Sequence, residues 1–350
     1  MREWVPYAIF IVLFSVISCM LLYVWVGNTS GEGTEKNEQE INIEEIAKQR
    51  RQMSDNIFIN GSDYSLAYPV KTYLIMGTDG DGNISGIGAA YRGDCADSLA
   101  LVVVDDEAKS YGTVQIDRDT MMDIDVLDDT GELAYTYFMQ LCLAHVYGRD
   151  PAAGCRNVKK AVSELFGEID INRYYALPIS SVQRINNLLG QVPVTIEDDF
   201  SGVTDAFVMG ETITLSDEQA ELFVRSRMNV GEGDNVSRMR RQKTYVDSAR
   251  KRFQELAGTQ RNFALDFFSQ LSDLATTDMS LEELRSLTNK LTTYTSKGEF
   301  APDGWFEEND TFNDGTLHKE FYADEASIEE IIRALYPVGK EEFQTIRKYE

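Results

Sequence analysis

The chain is poor in the residues that carry most nucleophilic catalysis and cross-linking. Of 350 residues only 2 are His, 4 Cys and 7 Pro, and 33 Lys+Arg stand against 58 Asp+Glu. Both histidines, His145 and His318, are isolated in sequence, and no CxxC pair or Cys/His cluster is present, which argues against histidine catalysis and against a Cys/His metal centre. The net charge of −25 argues against a nucleic-acid partner, because phosphate-backbone binding needs surplus Lys and Arg. A composition of 43% hydrophobic and 26% charged residues excludes a disordered or fibrous chain and fits one large domain or two small ones.

Against this background one apolar run stands out. Residues 5–26 (VPYAIFIVLFSVISCMLLYVWV) hold no Asp, Glu, Lys or Arg over 22 positions. As a helix this run is about 30 Å long, the thickness of a bilayer core. A cleavable signal peptide has a shorter apolar stretch ending in small residues. Here the run ends in Tyr23, Trp25 and Val26, so an uncleaved transmembrane anchor is expected. Residues 1–4 then form a short cytoplasmic N-terminus, and everything from residue 27 lies outside the membrane. Residues 27–66 read as an acidic linker with a short helix at 41–53, residues 67–337 as the globular domain, and residues 338–350 as a tail. In an exported domain, Cys142 and Cys155 are compatible either with a disulfide or with two buried free thiols, and Cys95 is left over.

Within the domain, short β-branched runs at 72–76 (TYLIM), 98–104 (SLALVVV), 111–116 (YGTVQI) and 192–196 predict buried strands. Helical patterns cover 156–166, 181–189, 216–224, 239–256, 263–274 and 281–291, and a strand and helix follow from 320, with Asp324 as N-cap. Strands interleaved with helices predict an α/β fold, a central mixed sheet flanked by helices on both faces.

Two groups of residues suggest chemistry. Residues 223–252 hold nine Lys/Arg against three Asp/Glu in an otherwise acidic chain. Ser216 to Gln219 form a capping box opening one helix, and Ser237 is placed to cap the next. On that second helix Met239, Val246, Ala249, Phe253 and Leu256 make the inward stripe. Arg238 and Gln242 fall beside it, where they need a partner: a phosphate or carboxylate ligand, or an internal Asp or Glu. The second group is acidic and sits at strand ends. Asp79 follows the first strand, Asp97 precedes the second, and Arg118-Asp119 follow the third. Ends of neighbouring strands share the crevice where open α/β sheets bind ligands, and one or two carboxylates suit Mg²⁺, although Asp is also common in turns.

Taken in order, YLIMGTDG, ADSLALVVVD, IDRDTM, YYALPISSVQRINNLLGQVPVTI, GETITLSDEQAELFVRSR and DNVSRMRRQ resemble the successive blocks of the LytR-CpsA-Psr (LCP) family of Gram-positive bacteria. The resemblance covers about residues 67 to 255 with a compatible tail to about 337, and the single N-terminal span agrees with it. It implies transfer of a glycopolymer, such as teichoic acid or capsule, from an undecaprenyl pyrophosphate carrier to a peptidoglycan hydroxyl, outside the plasma membrane and with Mg²⁺. Asp79 and Asp97 then correspond to the Mg²⁺ carboxylates. Arg118, Arg225, Arg227, Arg238 and Gln242 correspond to the pyrophosphate-binding set, with Arg241 beside it. Asp119 or one of the metal carboxylates is a candidate to accept the hydroxyl proton. Two departures stand out: Gln140-Leu141-Cys142 where many members have Lys-Ile-Asn, and Cys95-Ala96-Asp97-Ser98 where many have Arg-Ser-Asp-Thr. They leave open a non-catalytic protein that only holds the lipid-linked polymer.

Overall fold

The computed structural model describes residues 56–59, 61–80, 94–128, 130–226, 229–231, 235–260, 262–311, 315 and 317–338. The expected anchor at 5–26, most of the linker, Arg227 and all but the first residue of the tail lie outside the described residues. Among the described residues, no helix is long and apolar enough to cross a membrane.

A hairpin of β1 (Asn56–Ile59) and β2 (Ser62–Ser65) precedes the three strands that form the middle of the molecule, β3 (Lys71–Thr78), β4 (Ala96–Asp105) and β5 (Ser110–Ile116). All ten residues of β4 are buried, as an apolar run covered on both faces must be. A second hairpin, β6 (Met121–Leu127) and β7 (Leu133–Gln140), leads into α1 (Leu143–Val146) and α2 (Pro151–Leu165). There follow β8 (Arg173–Pro178), α3 (Val182–Leu188), β9 (Pro193–Thr195), β10 (Thr212–Thr214), α4 (Asp217–Arg225), α5 (Asn235–Thr259) and α6 (Phe263–Leu271). The chain continues through β11 (Thr276–Thr277), α7 (Leu281–Thr293), β12 (Thr295–Phe300), β13 (Gly304–Asn309), β14 (His318–Ala323) and α8 (Glu325–Leu335).

Six strands make the central sheet in the order β11-β8-β3-β4-β5-β12, with β3 parallel to β8, β5 parallel to β12, and the remaining pairs antiparallel. Its faces follow from register. Thr72, Val103 and Gly112 are aligned across β3, β4 and β5. Thr72 bonds the Tyr336 hydroxyl at 3.0 Å, and a Cβ on Gly112 would lie 2.2 Å from Leu335 Cδ2, so α8 covers this face. On the opposite face, Tyr175 of β8 meets Phe268 of α6 edge-on, ring centroids 6.1 Å apart. The predicted mixed sheet with helices on both faces is therefore the observed architecture.

Helix boundaries follow local chemistry. Asp150 accepts from the Ala153 amide ahead of Pro151, Ser216–Gln219 and Ser280–Glu283 form capping boxes, and Asp324 caps α8. Two expectations need correction. Ser237 is buried inside the first turn of α5, which already starts at Asn235, and so is not its cap. The β6–β7 hairpin lies where no strand is expected, although MMDIDVL alternates apolar residues with Asp as a half-buried strand does.

Candidate active site at the strand ends

Because β3, β5 and β8 run in the same direction, their carboxyl ends lie together at one edge of the sheet, beside the start of β4. The register shift at Gly77/Thr78 carries Asp79 opposite Cys95, and two backbone-directed bonds fix the pair. Asp79 N donates to the Cys95 carbonyl at 3.1 Å, and Cys95 N donates to Asp79 Oδ1 at 2.8 Å. Asp97 is almost fully buried, whereas Asp79 is exposed. Continuing the β4–β5 register past Leu99 and Ile116 sets Arg118 opposite Asp97, and the two are salt-bridged through Nη1 and Oδ1. Arg118 Nε reaches Asp119 Oδ1 at 3.2 Å and its Nη2 reaches Cys142 Sγ at 3.3 Å. Asp79, Asp97, Arg118 and Asp119 are thus brought together, in line with their shared position at strand ends.

The β6–β7 hairpin is attached at this point by both its ends. Asp119 and Thr120 lead into β6, and Leu141 and Cys142 follow β7. Leu141 N donates to the Thr120 carbonyl at 2.8 Å, Cys142 N to Arg118 O at 3.0 Å, and Ala96 N to Cys142 O at 3.1 Å. His145 is buried and neutral in tendency, since burial lowers its pKa. Its Nδ1 lies 2.7 Å from the Asp94 carbonyl, which steadies the approach to β4.

Asp79, Cys95 and Asp97 each offer one ligand atom, all within 4.8 Å of one another. The two carboxylates are the hard oxygen donors Mg²⁺ takes, so the donor set fits that ion. The thiol is a soft donor that Mg²⁺ does not use. Cys95, Cys142 and Cys155 are all free thiols. A Cys142–Cys155 disulfide is therefore not what the fold contains: Cys142 faces Cys95 and Arg118, while Cys155 lies 3.7 Å from His145 Nε2. The neighbouring Cys142 thiol lowers the Cys95 pKa, while Cys95 and full burial push that of Cys142 well up.

Burial opposes the charge on Arg118, but Cys142, Asp119, Cys95 and Asp79 outweigh it and hold the guanidinium firmly protonated. Burial raises the Asp119 carboxyl despite Arg118 and Lys319, and raises Asp117 to about 6. Asp117 carries no distinguishing signal in the sequence, where it reads as one more turn residue.

The basic group divides. Arg225 ends α4 and pairs with Glu221 at 3.1 Å, and Glu221 also accepts from Gln183 near the start of α3. The 3-10 turn at Ile179–Ser181 joins α3 to the end of β8, and Pro178 is the register partner of Thr78, so Arg225 belongs to the same end of the sheet as Asp79. Arg241 is corrected: its side chain is 1% exposed and bonded to Asp198 at 2.5 Å and to the carbonyls of Phe223 and Ser226, which leaves it a structural ion pair. Asp198, which carries no signal in the sequence, is its partner. Gln242 is buried and donates to the Val224 carbonyl at 3.1 Å, bracing the end of α4. Its Oε1 is buried without a partner in the structure. Arg238 lies on α5, but its side chain, like all of Arg227, is outside the described residues.

Residues 22–301 match the model of the LytR_cpsA_psr family. Among solved structures, protein gbs0355 from Streptococcus agalactiae aligns with a TM-score of 0.54 at 18% identity, covering 79% of this chain and 91% of that one. TagV of B. subtilis aligns at 0.49 and 18% identity, covering 76% and 95%. TagT bound to LI-WTA aligns at 0.46 and 16% identity, covering 76% and 90%. At such identities the first of these supports the fold and no more. No curated protein matches the chain.

Proposed function

Since the chain belongs to the LytR_cpsA_psr family, we propose that it is a membrane-anchored, extracytoplasmic phosphotransferase of the cell envelope. It moves a glycopolymer from a polyprenyl pyrophosphate carrier to a peptidoglycan hydroxyl. The observation that carries this reading is the Asp97–Arg118 pair set beside Asp79 at the shared end of β3, β4 and β5.

Asp79 and Asp97 would hold a Mg²⁺ ion, whose chemistry when bound is neutralisation of charge on phosphoryl oxygens. Arg118, held by Asp97 and Asp119, presents a fixed positive charge to the same oxygens and needs no reorganisation during reaction. Arg225 adds a second guanidinium from α4, and Arg227 and Arg238 are proposed to complete the set with Gln242. The acceptor oxygen forms a new bond to the polymer-bearing phosphorus while the bridging oxygen leaves with the polyprenyl phosphate. Asp119 takes the acceptor's proton, and its raised pKa suits that role. Little covalent work is left to the protein, as is usual in phosphoryl transfer.

The test is turnover by the full chain in detergent, with a short polyprenyl pyrophosphate-linked saccharide and peptidoglycan oligomers, with and without Mg²⁺. Coupled product should depend on Mg²⁺ and fall by roughly 100-fold or more in Asp97→Ala. Tight lipid binding with neither transfer nor hydrolysis would leave a polymer-holding protein in place of an enzyme.

A further inference from the structure

Three of the exported cysteines lie near one another in the fold, and two of them meet at the site. Cys95 precedes β4 and Cys142 follows β7, far apart in sequence. The bond from Ala96 N to Cys142 O at 3.1 Å lays their backbones side by side, and both sulfurs lie around one guanidinium. Cys142 Sγ is 3.3 Å from Arg118 Nη2, and Cys95 Sγ is within 4.8 Å of a carboxylate oxygen of Asp97, which Arg118 Nη1 pairs with. Each is also tied to a charged site residue. Cys95 N donates to Asp79 Oδ1, and Cys142 Sγ accepts from Arg118 Nη2. Cys95 is half-buried, so a reagent can reach it, whereas Cys142 is buried. An accessible thiol beside a buried one is the arrangement of an attacking and a resolving cysteine.

We propose that Cys95 and Cys142 are a dithiol–disulfide pair, a covalent modification site that cross-links the β3–β4 end of the site to the root of the β6–β7 hairpin. The oxidant is of the disulfide class, a small-molecule or protein disulfide R–S–S–R. Cys95 sulfur attacks one sulfur of the reagent and releases R–S⁻. Cys142 sulfur then attacks Cys95 sulfur and releases the second R–S⁻. The two thiol protons pass to the released thiolates; the cysteines lose two electrons and the reagent gains two.

The Ala96 N–Cys142 O bond already holds the two backbones in register, so closing the sulfurs to the ~2.05 Å of a disulfide calls for side-chain rotation and not for a new backbone path. The consequence falls on the donor set. Once bonded to Cys142, Cys95 can no longer act as a thiolate, so the Asp79–Cys95–Asp97 group keeps only its oxygen donors, the kind that hard cations take. Cys155 stays outside the pair, held against His145.

Tryptic mapping reads the pairing without any activity assay, so this proposal and the transferase reading can fail separately. Cleavage yields residues 93–109 with Cys95, 119–149 with Cys142 and 150–156 with Cys155, each a separate peptide. The full chain in detergent is treated with oxidised glutathione, alkylated under denaturing conditions and digested. The expected result is a 93–109/119–149 cross-linked peptide two hydrogens lighter than the two free ones, loss of alkylation at Cys95 and Cys142 together, and retained alkylation at Cys155. The link should persist in Cys155→Ser and vanish in Cys142→Ser. Full alkylation of Cys95 and Cys142 after oxidation, a 119–149/150–156 link, or stable glutathione on Cys95 would each overturn the pairing. The wild-type map alone decides between these outcomes, so a variant that fails to fold does not remove the test.

Discussion

Arg118 and Asp97 face each other two register steps beyond the last paired residues of β4 and β5, and the structure protects them unequally: the Asp97 side chain is 3% exposed and that of Arg118 35%. Removing either partner should therefore have unequal cost. Arg118→Ala leaves a buried carboxylate beside Asp79 with no cation, which costs about 3–5 kcal/mol of folding stability. Asp97→Ala leaves a guanidinium that still has Asp119, Cys142 and water, and should cost about 1 kcal/mol. Urea unfolding of both variants without divalent cation checks the order. Equal costs would mean that the pair does not neutralise Asp97.

The same reasoning separates Arg241 from its neighbour Arg240, which shares Asp198 but is half exposed. Arg241→Ala should lower stability by about 3–5 kcal/mol, because Asp198 is itself buried and Arg241 carries two backbone carbonyls of the α4 end as well. Arg240→Ala should cost about 0–1 kcal/mol. If Arg241→Ala instead weakened binding of a polyprenyl pyrophosphate at unchanged stability, its place as a structural ion pair would be lost.

Gly112 lets α8 lie directly on β5. A methyl group there would meet Leu335 first, at 2.2 Å to Cδ2 and 3.4 Å to Cγ, and Leu335 is itself fully buried. Gly112→Ala should destabilise by about 1–3 kcal/mol through overpacking. Leu335→Ala made alone opens a cavity; combined with Gly112→Ala it should cost less than the sum of the two. A double-mutant cycle with coupling below about 0.5 kcal/mol would show that the helix shifts away instead.

The sheet and the strand-end carboxylates are legible in the sequence for one physical reason. TYLIM, SLALVVV and YGTVQI are mostly apolar runs cut off by Gly and Asp, and because an unpaired carboxylate is costly within a buried run, the nearest Asp falls at or just beside a strand end. What is not legible depends on contacts between distant segments. Arg241 enters the pyrophosphate set only through the family resemblance, and neither its partner Asp198 nor the Val224 carbonyl that accepts from Gln242 can be located from helical periodicity, which leaves Gln242 open between a ligand and an internal partner. Nearness in sequence sets Cys142 against Cys155, whereas the β6–β7 hairpin returns Cys142 to Cys95 instead. Once the alternation in MMDIDVL is taken as a strand, the hairpin and that return both follow.

Asp117 offers a pH test of the same neighbourhood. Its Oδ1 accepts from the Asp119 amide at 2.9 Å in a turn that Asn can also form, yet burial raises its carboxyl to about 6. A carboxyl whose folded pKa lies above its unfolded value of 3.8 favours the folded state while protonated. That contribution is whole below pH 4 and is lost as pH rises through 6, and the raised Asp119 carboxyl acts in the same direction. Asp117→Asn removes the ionisation but keeps the turn, so it should match wild type in stability near pH 4 and exceed it at pH 7 and above. Denaturant midpoints across that range supply the comparison. A variant advantage that is constant with pH would place the Asp117 carboxyl at an ordinary pKa, and one that shrinks as pH rises would mean that its ionised form is the one the fold stabilises, with Lys319 outweighing burial.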